Sequence, residues 1–204
     1  MSSDTAQTLG AIAFVSFLVL LAGLSCQAVK GDNSYQTRLL FFWLIFDALI
    51  HIFRPFVYLS LFGRTVDSSV GFFASVWKEY SLADRRWAIA DPGVVAVELF
   101  TVIGTGALAL YTAKLVLQQD ARYHFWLCFL CICELYGDYM TFVPEWLQGS
   151  PSLDTKDPLH LWFYLVFSNG VWVIIPMALF LHSSAAILSA LSSHQSVLPP
   201  KKQM

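Results

Sequence analysis

Charged side chains are scarce in this sequence: Asp, Glu, Lys and Arg supply only 13% of its 204 residues, about half the usual share. Hydrophobic residues supply 57% and aromatic residues 16%. A soluble protein of this length could not keep so much apolar surface from water, so the composition indicates a membrane protein. The formal net charge of -2 gives no basic surface for a nucleic acid, and we expect no such partner.

Cysteine is scarce too, and the four residues present do not make a disulfide framework. Cys128, Cys131 and Cys133 share one apolar stretch, where we interpret them as small buried side chains. They fall on different helical faces without an obvious fourth ligand, which disfavours a zinc site built from them. The sequence also lacks a nucleophile elbow, a Gly-rich phosphate loop and a His-rich metal motif. We therefore expect no metal and no cofactor, and no hydrolase, kinase or oxidase chemistry.

Five apolar segments are long enough to cross a bilayer. Lipid offers no partner to an unpaired backbone group, so each segment must be a helix. We predict an all-α polytopic membrane protein, a single bundle of five transmembrane helices, in which Pro55 kinks or ends the second helix. The predicted spans are Leu9–Val29, Leu39–Phe62, Gly93–Leu117, His124–Leu147 and Leu161–Leu188.

The chain divides into a first transmembrane helix with its connection (1–38), a four-helix region (39–188) and a polar tail (189–204). An odd number of spans places the two termini on opposite sides, and Lys and Arg are too evenly distributed to orient them. Lys201–Met204 resembles the dilysine signal that returns membrane proteins to the endoplasmic reticulum and is read in the cytosol. We expect a protein of that membrane with a luminal N-terminus and a cytosolic C-terminus, although two lysines could also be mere solubilising charge.

Ionisable residues inside the spans are the most informative ones. Each costs about 2.5–3.5 kcal/mol at mid-membrane on insertion scales, so such residues face the bundle interior and usually mark function. On four helices they recur at helical spacing along one face, which predicts a polar-bottomed cavity in an apolar bundle. The four stripes are Asp47, His51 and Arg54; Glu98, Thr101 and Thr105; Glu134, Asp138 and Thr141; and Asn169, Trp172 and Pro176.

Structural alternatives exist for each stripe. The polar residues of a single stripe could serve only to form hydrogen bonds between neighbouring helices. Asp47, His51 and Arg54 could form a self-satisfied ion network without a ligand role. Asp138 and Glu145 could serve only helix packing or the membrane interface.

The predicted cavity suits lipid chemistry. A carboxyl group in an apolar pocket can remain protonated and act as an acid. A nearby indole face attracts cations and would stabilise a developing carbocation. Together they suit protonation of a carbon–carbon double bond in a lipid, or binding of a cationic amphiphile.

Several short motifs then occur in order along the chain: Trp77-Lys-Glu-Tyr80, Asp84-Arg-Arg86, Asp91-Pro-Gly-Val-Val-Ala-Val-Glu98, Tyr136-Gly-Asp138, Trp162-Phe-Tyr164 and Asn169-Gly-Val-Trp172. In this order they resemble the emopamil-binding protein family, the EXPERA-domain membrane proteins that include the sterol Δ8–Δ7 isomerase. The resemblance covers roughly Leu39 to Leu188. The motifs that look closer to the emopamil-binding-protein-like branch are Phe56-Val-Tyr58, Cys133-Glu-Leu-Tyr-Gly137, Pro144-Glu-Trp146 and Asn169-Gly-Val-Trp172.

This resemblance implies a protein of the endoplasmic reticulum with a sterol-sized cavity. In the isomerase, acids protonate the sterol double bond near carbon 9 and a proton is then lost from carbon 7. By the resemblance, Glu98 would carry a proton or stabilise positive charge, and His51 would shuttle a proton. Trp172 would shield the cation and Asn169 would orient the polar groups. The other expected substrate-binding residues are Asp47, Thr101, Tyr136 and Asp138.

One departure from the family pattern bears on activity. The family reads His-x-x-x-Glu-Gly-x-Phe-Val, whereas this chain has His51-Ile-Phe-Arg54-Pro-Phe56-Val57. Two residues are missing, which rotates the following helix by about 200° unless Pro55 or a bulge absorbs the change. The second acid of the family pattern is absent from this chain, and Arg54 lies near the position it would occupy. Asp47 could in principle supply the missing carboxyl group.

Three functions remain open at this point. The first is a sterol Δ8–Δ7 isomerase. The second is a non-catalytic protein that binds a sterol or a cationic amphiphile in the bilayer, and the third is a membrane partner of the true isomerase. A homodimer is possible in each case.

Overall fold

The computed structural model of the chain describes residues 3–29, 34–61 and 64–197, so the dilysine tail at Lys201–Met204 lies outside the described residues. Most of the described residues are α-helical. The helices are α1 (Ser3–Ser25), α2 (Tyr35–Ile52), α3 (Pro55–Leu61), α4 (Phe72–Ala83), α5 (Arg86–Ile89), α6 (Pro92–Phe100), α7 (Gly106–Leu117), α8 (Tyr123–Leu147) and α9 (Ser168–Val197). A short π-helical segment, Thr101–Thr105, joins α6 to α7. A second π-helical segment, His160–Phe167, leads into α9.

Five helical stretches of the described chain are long and apolar enough to cross a membrane. Each overlaps one of the five predicted segments, which confirms the all-α, five-helix membrane bundle. α9 continues past Leu188 into the region predicted as a polar tail, whereas the proposed division of the chain into regions stays a prediction. The observed spans are Thr8–Ala28, Tyr35–Leu61, Pro92–Leu117, Tyr123–Leu147 and His160–His194.

The second span is broken where Pro55 occurs, as the sequence predicts. α2 ends at Ile52 and α3 begins with Pro55 as its first residue. Proline suits this position because the first helical residue needs no backbone N–H donor. Arg54 lies in the break between the two helices.

Close approach of α2 and α7 depends on Gly106. A Cβ atom added at this residue would lie 2.9 Å from Cγ1 of Ile52 and 3.4 Å from Cβ of His51. The glycine therefore lets α7 approach the end of α2 that carries His51. The adjoining core is formed by the buried residues Phe41, Leu44, Ala48, Ala109, Ala113, Leu127 and Leu130.

The segment between the second and third spans, which is expected to be only a connection, folds as α4 and α5. α4 packs against α1, where the rings of Phe14 and Phe73 meet edge to face at 6.1 Å. Trp77 of α4 stacks on Trp87 of α5 with ring centroids 5.0 Å apart. These two helices cover one end of the bundle.

A network of buried ion pairs and hydrogen bonds around Arg86 connects α5 to the C-terminal part of α8. The guanidinium of Arg86 donates to both carboxylate oxygens of Asp84, at 2.9 and 2.7 Å, and to the carbonyl of Thr141 at 2.6 Å. Glu145 lies 3.8 Å from the same guanidinium, and its other oxygen accepts from the backbone N–H of Ser152 at 2.5 Å. Burial opposes the charge of Arg86 most strongly, but the hydrogen bond to Asp84 and the negative charges of Asp84, Glu145 and Asp91 together outweigh it and raise the Arg86 pKa. Glu145 therefore has a packing role.

Replacing Arg86 by methionine should lower the free energy of unfolding by about 3 kcal/mol, because Asp84 and Glu145 would retain buried charge without a partner. Arg122→Gln is the matched control, since Arg122 pairs with Asp120 on the exposed surface, where ion pairs contribute little. Thermal unfolding of the purified protein in detergent measures both changes. Equal losses of stability in the two variants would contradict the network.

Candidate functional site

A cavity of about 350 Å³ lies inside the bundle, a volume within the range of small-molecule sites, about 300–1,000 Å³. All five spans and α4 contribute to its wall. Most of the wall is apolar, which suits a hydrocarbon ligand. The apolar lining includes Ile12, Phe14, Phe46, Ile50, Val97 and Val171.

Polar side chains from four spans meet in this cavity. Their helical spacing turns one face of each span toward the interior, because a charged or hydrogen-bonding group has no partner in lipid. The predicted stripes therefore converge on one site. The lining residues that they supply are His51, Arg54, Glu98, Thr101, Glu134, Asp138, Thr141, Asn169 and Trp172.

The dominant interaction at the site is a buried ion pair between Arg54 and Glu98. Nη1 of Arg54 donates to Oε2 of Glu98, and the Thr101 hydroxyl donates to the same oxygen at 3.0 Å. The Arg54 guanidinium also lies over the rings of Trp77 and Trp87, 5.7 and 5.8 Å from their centroids. Arg54 thus neutralises the carboxylate that the family resemblance would use to stabilise positive charge.

His51 and Trp172 form an adjoining aromatic corner. Their ring centroids are 5.1 Å apart, and Trp172 is held from the other side by Trp43 at 5.0 Å and Phe46 at 6.2 Å. Nη2 of Arg54 approaches Nδ1 of His51 at 3.4 Å. The indole of Trp172 therefore lies next to the imidazole, with both rings on the cavity.

Asp47, which is expected to contact a substrate, is absent from the cavity lining and lies against His51. It is fully buried, and its Oδ1 is 2.9 Å from Nε2 of His51. The spacing of one helical turn gives both residues the same face but places Asp47 a turn deeper in the bundle. Glu134 approaches the same place from the fourth span, so Asp47, His51 and Glu134 together offer metal-ligating atoms.

Asn169 connects the fifth span to α4. Its amide nitrogen donates to the carbonyls of Tyr164 and Leu165, at 2.8 and 2.9 Å, and lies 3.2 Å from the Tyr80 hydroxyl. The Tyr80 hydroxyl donates to the amide oxygen at 3.3 Å. Burial raises the pKa of Tyr80 far above its ordinary value because a phenolate would be desolvated. Tyr80 therefore stays a neutral donor on the cavity wall.

Tyr136, which is expected to bind substrate, does not line the cavity. Its side chain is 61% exposed on the outer surface and stacks on Tyr139 with ring centroids 6.2 Å apart. Tyr136 is two residues from both Glu134 and Asp138, and two residues turn a helix by about 200°. When those two residues face the cavity, Tyr136 must face away.

Sequence reasoning missed the contribution of α4 and α5 to the site. Trp77, Tyr80 and Trp87 line the cavity, although the first two were noticed only as parts of a motif. The apolar spacing of Phe73, Trp77 and Tyr80 is that of an amphipathic helix, and it could have indicated a helix that covers the bundle. No comparable signal marks Trp87, which reaches the cavity from α5, the short helix that follows α4.

The five-span bundle and its enclosed, mainly apolar cavity define a membrane protein with a lipid-sized binding site. A family model described as EXPERA (EXPanded EBP superfamily) matches residues 72–183. The chain is 31% identical over 164 residues to the mouse 3-beta-hydroxysteroid-Delta(8),Delta(7)-isomerase, a match that covers 80% of this chain and 69% of that protein. It is likewise 31% identical over 166 residues to a protoglabretal synthase from Citrus sinensis, covering 81% and 73% of the two chains. The chain belongs to the EXPERA family of emopamil-binding proteins.

Binding of a cationic amphiphile should weaken about tenfold in Trp172→Ala, because the ring face that attracts the cation is lost. Glu98→Gln should also weaken it, since Arg54 would keep its positive charge without a neutralising partner. Trp146→Ala is the matched control, because Trp146 is 60% exposed on the surface of the bundle. Equilibrium binding of a radiolabelled tertiary amine to the purified protein measures the effect. Unchanged affinity in Glu98→Gln would refute the cation site.

Proposed function

We propose that this chain is a sterol-binding membrane protein of the isomerase type, in which Arg54 suppresses Δ8–Δ7 isomerisation. The enclosed apolar cavity and relatives named as sterol isomerases support a sterol ligand. The sterol would lie among the apolar side chains, with its hydroxyl or its double bond near the polar end.

The observation that carries this proposal is the buried pair of Arg54 and Glu98. Isomerisation passes through positive charge on the sterol rings, which a free carboxylate would stabilise. At 4 Å and an effective dielectric constant near 20 this attraction is worth about 4 kcal/mol, and its loss would slow the reaction roughly 1,000-fold. In this chain the negative charge of Glu98 already attracts Arg54. The cavity therefore keeps its shape but lacks its strongest site for a carbocation.

An active isomerase is the second candidate, and the remaining acids favour it. Glu134 and Asp138 line the cavity, and in the described part of the chain both oxygens of Glu134 and one of Asp138 lack a hydrogen-bond partner. Either carboxyl group could supply the proton that the double bond takes up. The carbocation that follows would still lie near Arg54, and for this reason we place binding first.

Sterol analysis in cells that lack their own Δ8–Δ7 isomerase separates the two candidates. We expect the native chain to leave the Δ8-sterol unconverted. Arg54→Glu, or insertion of Glu-Gly between Arg54 and Pro55, should produce conversion, because each restores a second acid. Arg54→Glu also removes the cation from Glu98, whereas the inserted Glu would compete with Glu98 for Arg54. Arg122→Glu is the control, as it makes the same charge reversal on the exposed surface.

Each outcome of this experiment is informative once equal amounts of folded protein are present. Conversion by the native chain at the rate of a true isomerase would overturn the suppression. Failure of all variants, combined with no labelling of the purified chain by a photoreactive Δ8-sterol, would overturn the sterol site itself. A membrane partner of the true isomerase would then be the better account.

The predicted dilysine signal supports residence in the endoplasmic reticulum, with a cytosolic C-terminus and a luminal N-terminus. Replacing both Lys201 and Lys202 by serine should move a tagged protein toward the cell surface, which fluorescence microscopy measures. Unchanged location would argue for simple solubilising charge. Introduced glycosylation sites that are modified at the C-terminus would reverse the proposed orientation.

A further inference from the structure

Three buried metal-ligating side chains from two spans meet beside the cavity. Asp47 and His51 lie one turn apart on α2, and Glu134 faces them from α8. One ligand atom from each residue lies within 4.8 Å of the other two. Exposed fractions of 0, 6 and 6% for Asp47, His51 and Glu134 show that water does not solvate them freely.

In their deprotonated forms these side chains do not satisfy one another. Both oxygens of Asp47, both oxygens of Glu134 and Nε2 of His51 lack a hydrogen-bond partner among the described residues. Nε2 of His51 is 2.9 Å from Oδ1 of Asp47, but the contact does not have the direction of a hydrogen bond. Buried polar atoms in this condition are rare in proteins and call for a further binding partner. Two ligands that each lie about 2.1 Å from a tetrahedral ion are about 3.4 Å apart, so Nε2 of His51 and Oδ1 of Asp47 would separate by about half an ångström on binding.

Charge favours a divalent cation as that partner. Asp47 and Glu134 together offer two carboxylates, and the nearby guanidinium of Arg54 is already paired with Glu98. Leaving two carboxylates unpaired inside an apolar bundle is costly. We propose that Asp47, His51 and Glu134 bind one divalent metal ion of the zinc type.

The donor set fits such an ion. One imidazole and two carboxylates suit zinc, and three protein ligands leave an open fourth position. His51 and Glu134 line the cavity while Asp47 lies behind them, so the ion can enter from the cavity and the open position faces it. Water or a ligand hydroxyl would complete the coordination.

The contact between Arg54 and His51 opposes the ion. Nη2 of Arg54 lies 3.4 Å from Nδ1 of His51. A histidine that binds a metal through Nε2 carries its proton on Nδ1 and prefers an acceptor there, whereas a guanidinium offers only donors. Arg54 should therefore weaken metal binding, and an acceptor at position 54 should strengthen it.

The sequence expectation of no metal considered only cysteines and linear His-rich motifs. This donor set is split between the second and fourth spans, with Glu134 lying 83 positions after His51 and 87 positions after Asp47. No short motif can reveal such a set. The inference is independent of the proposed sterol function, because metal binding is measured without sterol.

The full chain, purified in detergent without a His tag and stripped with a chelator, is titrated with Zn²⁺ by calorimetry and with Co²⁺ by visible absorption. We expect one ion per chain. Asp47→Asn and Glu134→Gln should each weaken Zn²⁺ binding by at least about 100-fold. Arg54→Gln should strengthen it, which simple damage to the fold would not do.

Two controls separate this site from others. Asp120→Asn removes a partly exposed carboxylate that is paired with Arg122 outside the site, and it should leave the affinity unchanged. Cys131→Ser tests whether the buried thiols bind the ion, and loss of binding in this variant would overturn the proposal. It would also be overturned if the folded, stripped chain binds no Zn²⁺ or if neither carboxylate variant changes the affinity, since the carboxyl groups would then be neutralised by protons.

Discussion

The hydrocarbon core of a bilayer offers no hydrogen-bond partner, and this constraint governs most of the molecule. Backbone groups must be satisfied within each span, which leaves helices as the available structure. Charged side chains must turn to the interior, where they find one another or a cavity. Both the apolar surface of the bundle and its polar centre therefore result from the lack of hydrogen-bond partners in the bilayer core.

Within that centre, the pair of Arg54 and Glu98 decides how the cavity behaves. The break before Pro55 places Arg54 between two helices, from where its side chain reaches the third span and the rings of Trp77 and Trp87. A family acid is thereby matched with a cation. The cavity keeps a mainly apolar wall and an aromatic corner of His51 and Trp172, while its carboxylate Glu98 is paired with Arg54.

At the polar end of the cavity, the carboxylate on one side has partners, whereas the carboxylates on the other side lack them. Glu98 has Arg54 and Thr101 as partners. Asp47 and Glu134, a short distance away, keep oxygens without hydrogen-bond partners among the described residues. His51 stands between the two sides, near Arg54 through Nδ1 and near Asp47 through Nε2. A change at Arg54 should therefore affect both the family's carboxylate and the inferred metal site.

Helical periodicity predicts which side chains of a span reach the cavity. Glu134 and Asp138 share a face at one-turn spacing and both line the cavity. Tyr136 belongs to the same motif as Asp138, but the same periodicity turns its side chain away. The pairing of Arg54 with Glu98 and of Arg86 with Asp84 and Glu145 could not be predicted, because each depends on which elements become neighbours in space.

The sequence by itself determined the membrane class, the five spans, the break at Pro55 and the faces that carry polar residues. These features follow from local properties: segment length, hydropathy, the missing N–H of proline and the period of the helix. Only the tertiary structure decided that α4 and α5 cover the cavity, that Arg54 neutralises Glu98 and that Asp47 lies behind His51. Those facts depend on distances between residues far apart in the chain, which no local pattern encodes.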